Sequence, residues 1–187
     1  MILPQSGIYT SAPCAWVPGL NELVFARLGG AGGSDLLSIV PGETEAKPVL
    51  DTPSFEGGAS FSPDGKWMAY CSSESGQLEI YVRAYARTGG KWQISTNGGR
   101  GPCWSHDGRE IFYTLGLKMI AVEVATVPGF SPGRPRQLFE FPFDRFIGAE
   151  RDFDVTPDGR RFIFVRPQRS PPRQIDLVLG FSVDRRP

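Results

Sequence analysis

Phe61-Ser62-Pro63-Asp64-Gly65-Lys66-Trp67-Met68-Ala69-Tyr70 is the stretch that decides how this chain reads. Asp-Gly is a hairpin turn signal, because glycine takes positive φ without strain and aspartate caps its own backbone. The proline before it fixes φ at the turn entry. Apolar and aromatic residues lie on both sides, as strands require. The pattern returns at Trp104-Ser105-His106-Asp107-Gly108-Arg109-Glu110-Ile111-Phe112-Tyr113 and at Val155-Thr156-Pro157-Asp158-Gly159-Arg160-Arg161-Phe162-Ile163-Phe164. A degraded copy lies upstream, Trp16-Val17-Pro18-Gly19-Leu20-Asn21-Glu22-Leu23-Val24-Phe25. The copies start at Trp16, Phe61, Trp104 and Val155, with spacings of 45, 43 and 51 residues. A period in the forties made of strands and turns reads as propeller blades, one four-stranded antiparallel sheet per repeat.

Repeat two divides into strands at about 57–61, 67–72, 78–84 and 91–96. Within it, Gln77-Leu78-Glu79-Ile80-Tyr81-Val82-Arg83 alternates with period two, which predicts one buried face. Repeat three carries the same parts at 101–104, 110–114, 118–124 and 136–141, with a Pro/Gly-rich insertion, Val127 to Pro135. Repeat one has strands at about 12–16, 22–27, 35–40 and 47–50, and repeat four at 151–155, 161–165 and 175–179. No segment shows a helix period with caps. The expected architecture is all-β: a β-propeller of about four blades, near 11–50, 56–97, 99–141 and 150–183. Two readings of its closure stay open. Residues 1–10 complete the last blade, which removes two edges, or the chain is part of a larger ring.

Composition narrows the function classes. The 187 residues hold 20 Lys plus Arg and 20 Asp plus Glu, a net charge of zero. That argues against nucleic-acid binding and against a polybasic membrane-surface binder. No apolar run reaches the roughly 20 residues needed to span a bilayer, and Met1 to Thr10 do not read as a secretory signal. A native start at Met1 implies the cytoplasm, whereas a piece of a membrane-anchored protein implies a place outside it. The 23 Gly and 17 Pro are the turns of a many-stranded fold.

Phe61 to Trp67, Glu79-Ile80-Tyr81-Val82-Arg83 and Gly90-Lys91-Trp92-Gln93-Ile94-Ser95-Thr96 resemble the TolB-like, WD-repeat-like β-propeller family. The run from about Lys47 to Val165 resembles the propeller that follows the kinase domain in many bacterial serine/threonine protein kinases. The resemblance implies an all-β propeller, commonly of six or more blades, with a sensing or protein-interaction role. Kinase activity does not follow, because the sequence has no Gly-rich phosphate loop, no V-A-I-K-like lysine strand, no H-R-D and no D-F-G.

The chemistry-bearing residues mostly read as structure. Ser105-His106-Asp107 has the letters of a hydrolase triad, but contiguous turn residues cannot converge as nucleophile, base and orienter. Asp64-Gly65, Asp107-Gly108 and Asp158-Gly159 are read as structural turns. Ser62 to Trp67 resembles the Asp-box of sialidases, with the glycine one place early and no carboxylate pair to flank a scissile bond. Cys14, Cys71 and Cys103 lack zinc-ligand spacing and suit core positions. Glu150, Asp152 and Asp154 alternate on one strand face, which suits pairing with arginines or a cation. Phe139, Phe141, Phe143 and Phe146 suit inter-blade packing or a docking patch. Aligning the inner strands places Ala12, Gly57, Arg100 and Arg151 in one ring at the channel mouth, with Ser11, Glu56, Gly99 and Glu150 beside it. Glu56, Arg100, Glu150 and Arg151 are therefore the candidate ligand- or partner-binding residues, with arginine suited to carboxylate or phosphate. No cofactor or metal is called for. The expected role is a non-catalytic scaffold that binds a protein or small ligand, with self-association through open blade edges. The alternatives are the gating propeller of a prolyl-oligopeptidase-type serine peptidase, for which no G-x-S-x-G elbow is present, or a channel that holds a ligand or metal.

Overall fold

Four antiparallel sheets follow one another along the chain, each a meander. The computed structural model describes residues 11–29, 33–85, 89–141, 151–165 and 177–182. Residues 1–10, Glu150, Phe143 and Phe146 lie outside them. Blade one is β1 (Ser11–Trp16), β2 (Leu23–Leu28), β3 (Ser34–Ile39) and β4 (Lys47–Leu50). Blade two is β5 (Glu56–Phe61), β6 (Trp67–Ser72), β7 (Glu79–Ala84) and β8 (Lys91–Gln93). Blade three is β9 (Arg100–Trp104), β10 (Glu110–Leu115) and β11 (Lys118–Ala125), with both β12 (Ser131–Pro132) and β13 (Arg136–Glu140) paired to β11. Blade four has three described strands, β14 (Phe153–Val155), β15 (Arg161–Val165) and β16 (Leu177–Ser182). Among the described residues there is no helix.

The Asp-Gly turns are built alike. In repeat two the Ser62 hydroxyl donates to Asp64 Oδ1 (2.6 Å) and accepts from the Trp67 amide (3.0 Å). Ser105 does the same with Asp107 (2.7 Å) and the Glu110 amide (2.9 Å). Thr156 repeats it with Asp158 and the Arg161 amide. Burial pushes the Asp64 carboxyl up, but the bonds from Ser62 and the Lys66 amide outweigh it and hold the group below its ordinary value. Thr156 and the Arg160 amide likewise lower Asp158. The upstream copy has Val17 in place of the hydroxyl residue, and only its backbone bonds survive, Leu20 N to Val17 O at 3.1 Å and Val17 N to Glu22 O at 2.9 Å.

These turns also space the blades. A Cβ on Gly65 (φ 69°) would stand 2.3 Å from the carbonyl oxygen of Pro18. One on Gly108 would stand 3.2 Å from Cδ of Pro63. Gly65 and Gly108 thus each meet the proline of the preceding repeat. His106 stands where the other copies have proline and is exposed at its turn.

The core is a series of seams between blades. Val24, Ala26 and Leu36 of blade one meet Phe61, Met68, Tyr70 and Tyr81 of blade two. Ala69, Cys71, Ile80 and Val82 of blade two meet Ile111, Tyr113, Ile120 and Val122 of blade three. Phe112, Met119 and Ala121 then meet Phe153, Val155, Phe162 and Phe164 of blade four. The insertion in repeat three carries Phe130 into the second seam, with ring centroids 5.3 Å from Trp67 and 5.1 Å from Trp92.

Two strand expectations are corrected. The alternation in Gln77 to Arg83 does not mark a solvent face. Both faces of β7 are covered, with Tyr81 packed toward blade one and Ile80 toward blade three. A blade inside a propeller has neighbours on both sides, so period two there separates two seams, not core from water. The fourth strand of repeat two ends at Gln93, because Ser95 turns its hydroxyl to the Ile80 amide (2.8 Å) and to Glu79.

Candidate functional site

In a meander the connections alternate between the two ends of a blade. The Asp-Gly turns lie at one end. The segments entering β5 and β9, and the hairpins between β6 and β7 and between β10 and β11, lie at the other. At that second end the seam between blades two and three opens into two adjoining concavities. One, of about 190 Å3, is lined by Gln77, Leu78, Arg100, Thr114 and Leu115, among others. The other, of about 120 Å3, is lined by Thr96, Tyr113, Leu115, Ile120, Pro135 and Gln137, among others. Gly98 and Leu115 border both.

The floor is organised by Glu79, which is 1% exposed. Its Oε1 accepts from Gln77 Nε2 (2.6 Å) and from the Gly98 amide (2.8 Å), and its Oε2 accepts from the Ser95 hydroxyl. The carboxylate therefore holds the whole turn that leads into Arg100. Gly99 makes the approach possible, since a Cβ there would lie 2.7 Å from both Ile80 Cγ1 and Ser95 Oγ. The Gly99 amide donates to Leu78 O at 3.0 Å. Thr114 donates its hydroxyl to the Arg100 carbonyl at 3.2 Å, fixing the first residue of β9.

Of the channel-mouth residues read from the sequence, Arg100 lines this opening. Gly99 borders it too, whereas Glu56 and Arg151 lie at other seams and Glu150 lies outside the described residues. Glu56 is 2% exposed and accepts a hydrogen bond from Thr52, while its Oε2 is buried with no hydrogen-bond partner. Desolvation, against the lowering effect of Thr52 and with added repulsion from Asp35, pushes its carboxyl above the ordinary value. Such a group faces the seam with blade one, not a solvated rim. Arg151 donates from Nη1 to Cys103 Sγ at 2.9 Å, with Nη2 3.9 Å from Asp154 Oδ1. Burial pushes the Cys103 thiol up to about 11 despite the guanidinium. Glu56, Arg100 and Arg151 thus address three successive seams and do not converge. Among the described residues no three His, Cys, Asp or Glu side chains gather as a metal site.

Glu79 was missed from sequence because it falls on the polar phase of an alternating strand, the expected place for a solvated residue. One signal was available. Asp35 holds the same place in β3 that Glu79 holds in β7, opposite Arg27 and Ser72 respectively. An acid repeated at a strand start implies fixed partners, and Asp35 indeed meets Arg27 at 3.0 Å.

No family model matches the sequence, and no curated protein matches it. Solved structures do. TolB from Acinetobacter baumannii superposes with a TM-score of 0.69 at 17% identity, over 97% of this chain and 43% of that one. A TolB-designated protein from Agrobacterium tumefaciens gives 0.58 at 20% identity, over 85% of this chain and 56% of that one. An oligogalacturonate lyase in complex with manganese gives 0.59 at 15% identity, over 83% and 45%. This chain spans between 43% and 56% of the length of these structures. At such identities the likeness concerns the fold alone. Four consecutive blades with buried seams, matched to TolB over nearly the whole chain, give this protein the fold of a TolB-like β-propeller.

Proposed function

We propose that this chain is a non-catalytic propeller scaffold that binds a protein partner or a small ligand at the blade end where the Arg100 seam opens. The observation that carries the reading is the pair of adjoining concavities between blades two and three, bordered by Arg100. Concave sites between rigid elements, with a few placed polar groups, are where propellers and other folds take ligands. A rigid support is present, because Glu79 and Gly99 fix the turn that carries Arg100. The resemblance of Lys47 to Val165 to kinase-associated propellers favours service as the sensing or interaction part of a larger bacterial protein, kinase-like or TolB-like.

The test is a thermal-shift screen of a compound and peptide library against the wild-type chain and Gln137→Trp, which fills the smaller concavity from an exposed position. A ligand that binds the native state raises Tm by mass action. Compounds that stabilise the wild type and not the variant support the reading. Compounds that stabilise both equally place the binding surface elsewhere.

A further inference from the structure

Asn97-Gly98 is a dipeptide with a chemistry of its own. The backbone nitrogen of a glycine after asparagine attacks the side-chain carboxamide. Its bond to Cγ forms, the Cγ–Nδ2 bond breaks, and ammonia leaves with the proton of the backbone amide. Water then opens the cyclic imide to aspartate or isoaspartate. Glycine favours the step, because no Cβ hinders the approach. Asn97 is exposed, so water reaches the imide once it forms.

The fold controls the nucleophile. In the imide the nitrogen is planar and holds Cγ where the peptide hydrogen stood. At Gly98 that direction is taken by Oε1 of Glu79, 2.8 Å from the nitrogen. Oε1 is itself fixed by Gln77 Nε2 at 2.6 Å, on a side chain that is buried. The nitrogen can reach Cγ only when this bond opens. Gly99 N is held to Leu78 O at 3.0 Å, so the neighbouring peptide resists the same movement. The Asp-Gly turns are open to the same cyclisation and are closed differently. Asp64 Oδ1 accepts from Ser62 and from the Lys66 amide, while Gly65 N donates to Ser62 O at 2.8 Å. There both reacting groups are tied by neighbours in the turn itself. At Asn97 the lock is a buried acid on another segment, β7.

We propose that Asn97 is a gated deamidation site: Glu79 blocks imide formation while the turn is seated, and each opening of the turn exposes the pair to reaction. The loss of ammonia makes the change irreversible. Either product puts a new carboxylate one residue from the Gly98 contact with Glu79, where like charges repel. Isoaspartate also lengthens the backbone by a methylene just ahead of Gly98. Both effects weaken the bond that had closed the turn, so a turn that has reacted stays open. Asn97 and Gly98 line the smaller concavity between blades two and three, and the modification therefore alters that opening directly.

The experiment incubates the full chain, its Glu79→Ala variant and a synthetic peptide of residues 94–103 at neutral pH and body temperature. Peptide mass spectrometry follows conversion at Asn97, and hydrogen exchange reads the Gly98 amide in the same samples. The expected result is that the wild-type chain converts at least about tenfold more slowly than the peptide, as a charge-assisted hydrogen bond imposes. The slowing should match the exchange protection of the Gly98 amide, since one opening limits both. Glu79→Ala removes most of the slowing, while isoaspartate at Asp64-Gly65 stays at its wild-type level, which separates local release from general unfolding. Equal rates in the chain and the peptide overturn the proposal. So does a slow Asn97 beside a freely exchanging Gly98 amide, or a folded Glu79→Ala variant that stays as slow as the wild type. Where that variant does not fold, the match between exchange and deamidation in the wild-type chain decides.

Discussion

The Glu79 carboxylate accepts the Gly98 amide at 2.8 Å, tying the first residue of β7 to the turn that delivers Arg100. A buried carboxylate with three donors is stabilising only while all of them are present. Removing it leaves Gln77, Ser95 and Gly98 without their acceptor. Glu79→Ala is expected to cost about 3 kcal/mol in denaturant unfolding, and Glu79→Gln about half as much. A loss below about 0.5 kcal/mol for the alanine variant, the size of an ordinary surface substitution, would show that the turn holds itself.

Gly65 and Gly42 both have positive φ, 69° and 97°. Only Gly65 also faces a neighbour, with the Pro18 carbonyl 2.3 Å from where a Cβ would stand, whereas nothing lies within 4 Å at Gly42. Gly42→Ala should cost about 1 kcal/mol from backbone conformation alone. Gly65→Ala should cost about 2 kcal/mol more, because backbone of the adjoining repeat must shift. Equal losses in thermal unfolding would mean that the turn does not space the blades.

Glu56 gives a pH dependence with a definite sign. Its folded-state pKa is raised from 4.5, chiefly by desolvation. The native state then binds more protons than the unfolded chain as pH climbs above 4.5, so stability from this group is lost through that rise. Against Glu56→Gln, which stays neutral, the wild type should lose relative Tm from pH 4.5 upward and level off once the buried carboxyl has ionised. A constant difference between the two proteins from pH 4 to pH 8 would contradict it.

Much of this architecture could be read directly. The Asp-Gly turns carry their own side-chain bonds, so a local pattern of four residues specified them, and the same pattern gave the blade period. The seams were less legible. A strand such as β7 is covered on both sides, and residue polarity alone does not tell a buried acid with partners from a solvated one. Glu56 and Arg151 look alike in an alignment of repeats to Arg100, since all three stand at or just before the start of an inner strand. What separates them is the neighbouring blade, whose contacts come from residues tens of positions away, Asp35 beside Glu56 and Cys103 beside Arg151.

The three cysteines should separate by exposure. Cys71 and Cys103 are buried at 0% and 2%, and the Cys103 thiol is pushed up to about 11. Cys14 is half-buried. With excess iodoacetamide at pH 8, mass spectrometry should find Cys14 alkylated first, and the other two only on addition of denaturant. Early labelling of Cys103 would mean that Arg151 exposes a thiolate.

Phe130 reaches the seam from an insertion that the other repeats lack. It touches Trp67, Trp92 and Trp104, with centroids 5.3, 5.1 and 6.3 Å away. Phe130→Ala should destabilise by about 3 kcal/mol and red-shift the tryptophan emission as water enters the cavity. An unchanged spectrum with unchanged stability would make the insertion a bystander.

The contact of a turn glycine with the proline of the preceding repeat, Gly65 on Pro18 and Gly108 on Pro63, has an evolutionary reading. Repeat two carries both halves of that joint, Gly65 for the blade before it and Pro63 for the blade after it. A tandem duplication of that repeat therefore inserts a unit whose joints already match on both sides. Ring size in this architecture changes by whole units with no new interface to invent, while a one-residue insertion within the turn would put both adjoining joints out of register. Lineages carrying this repeat should vary in blade number far more readily than in turn length.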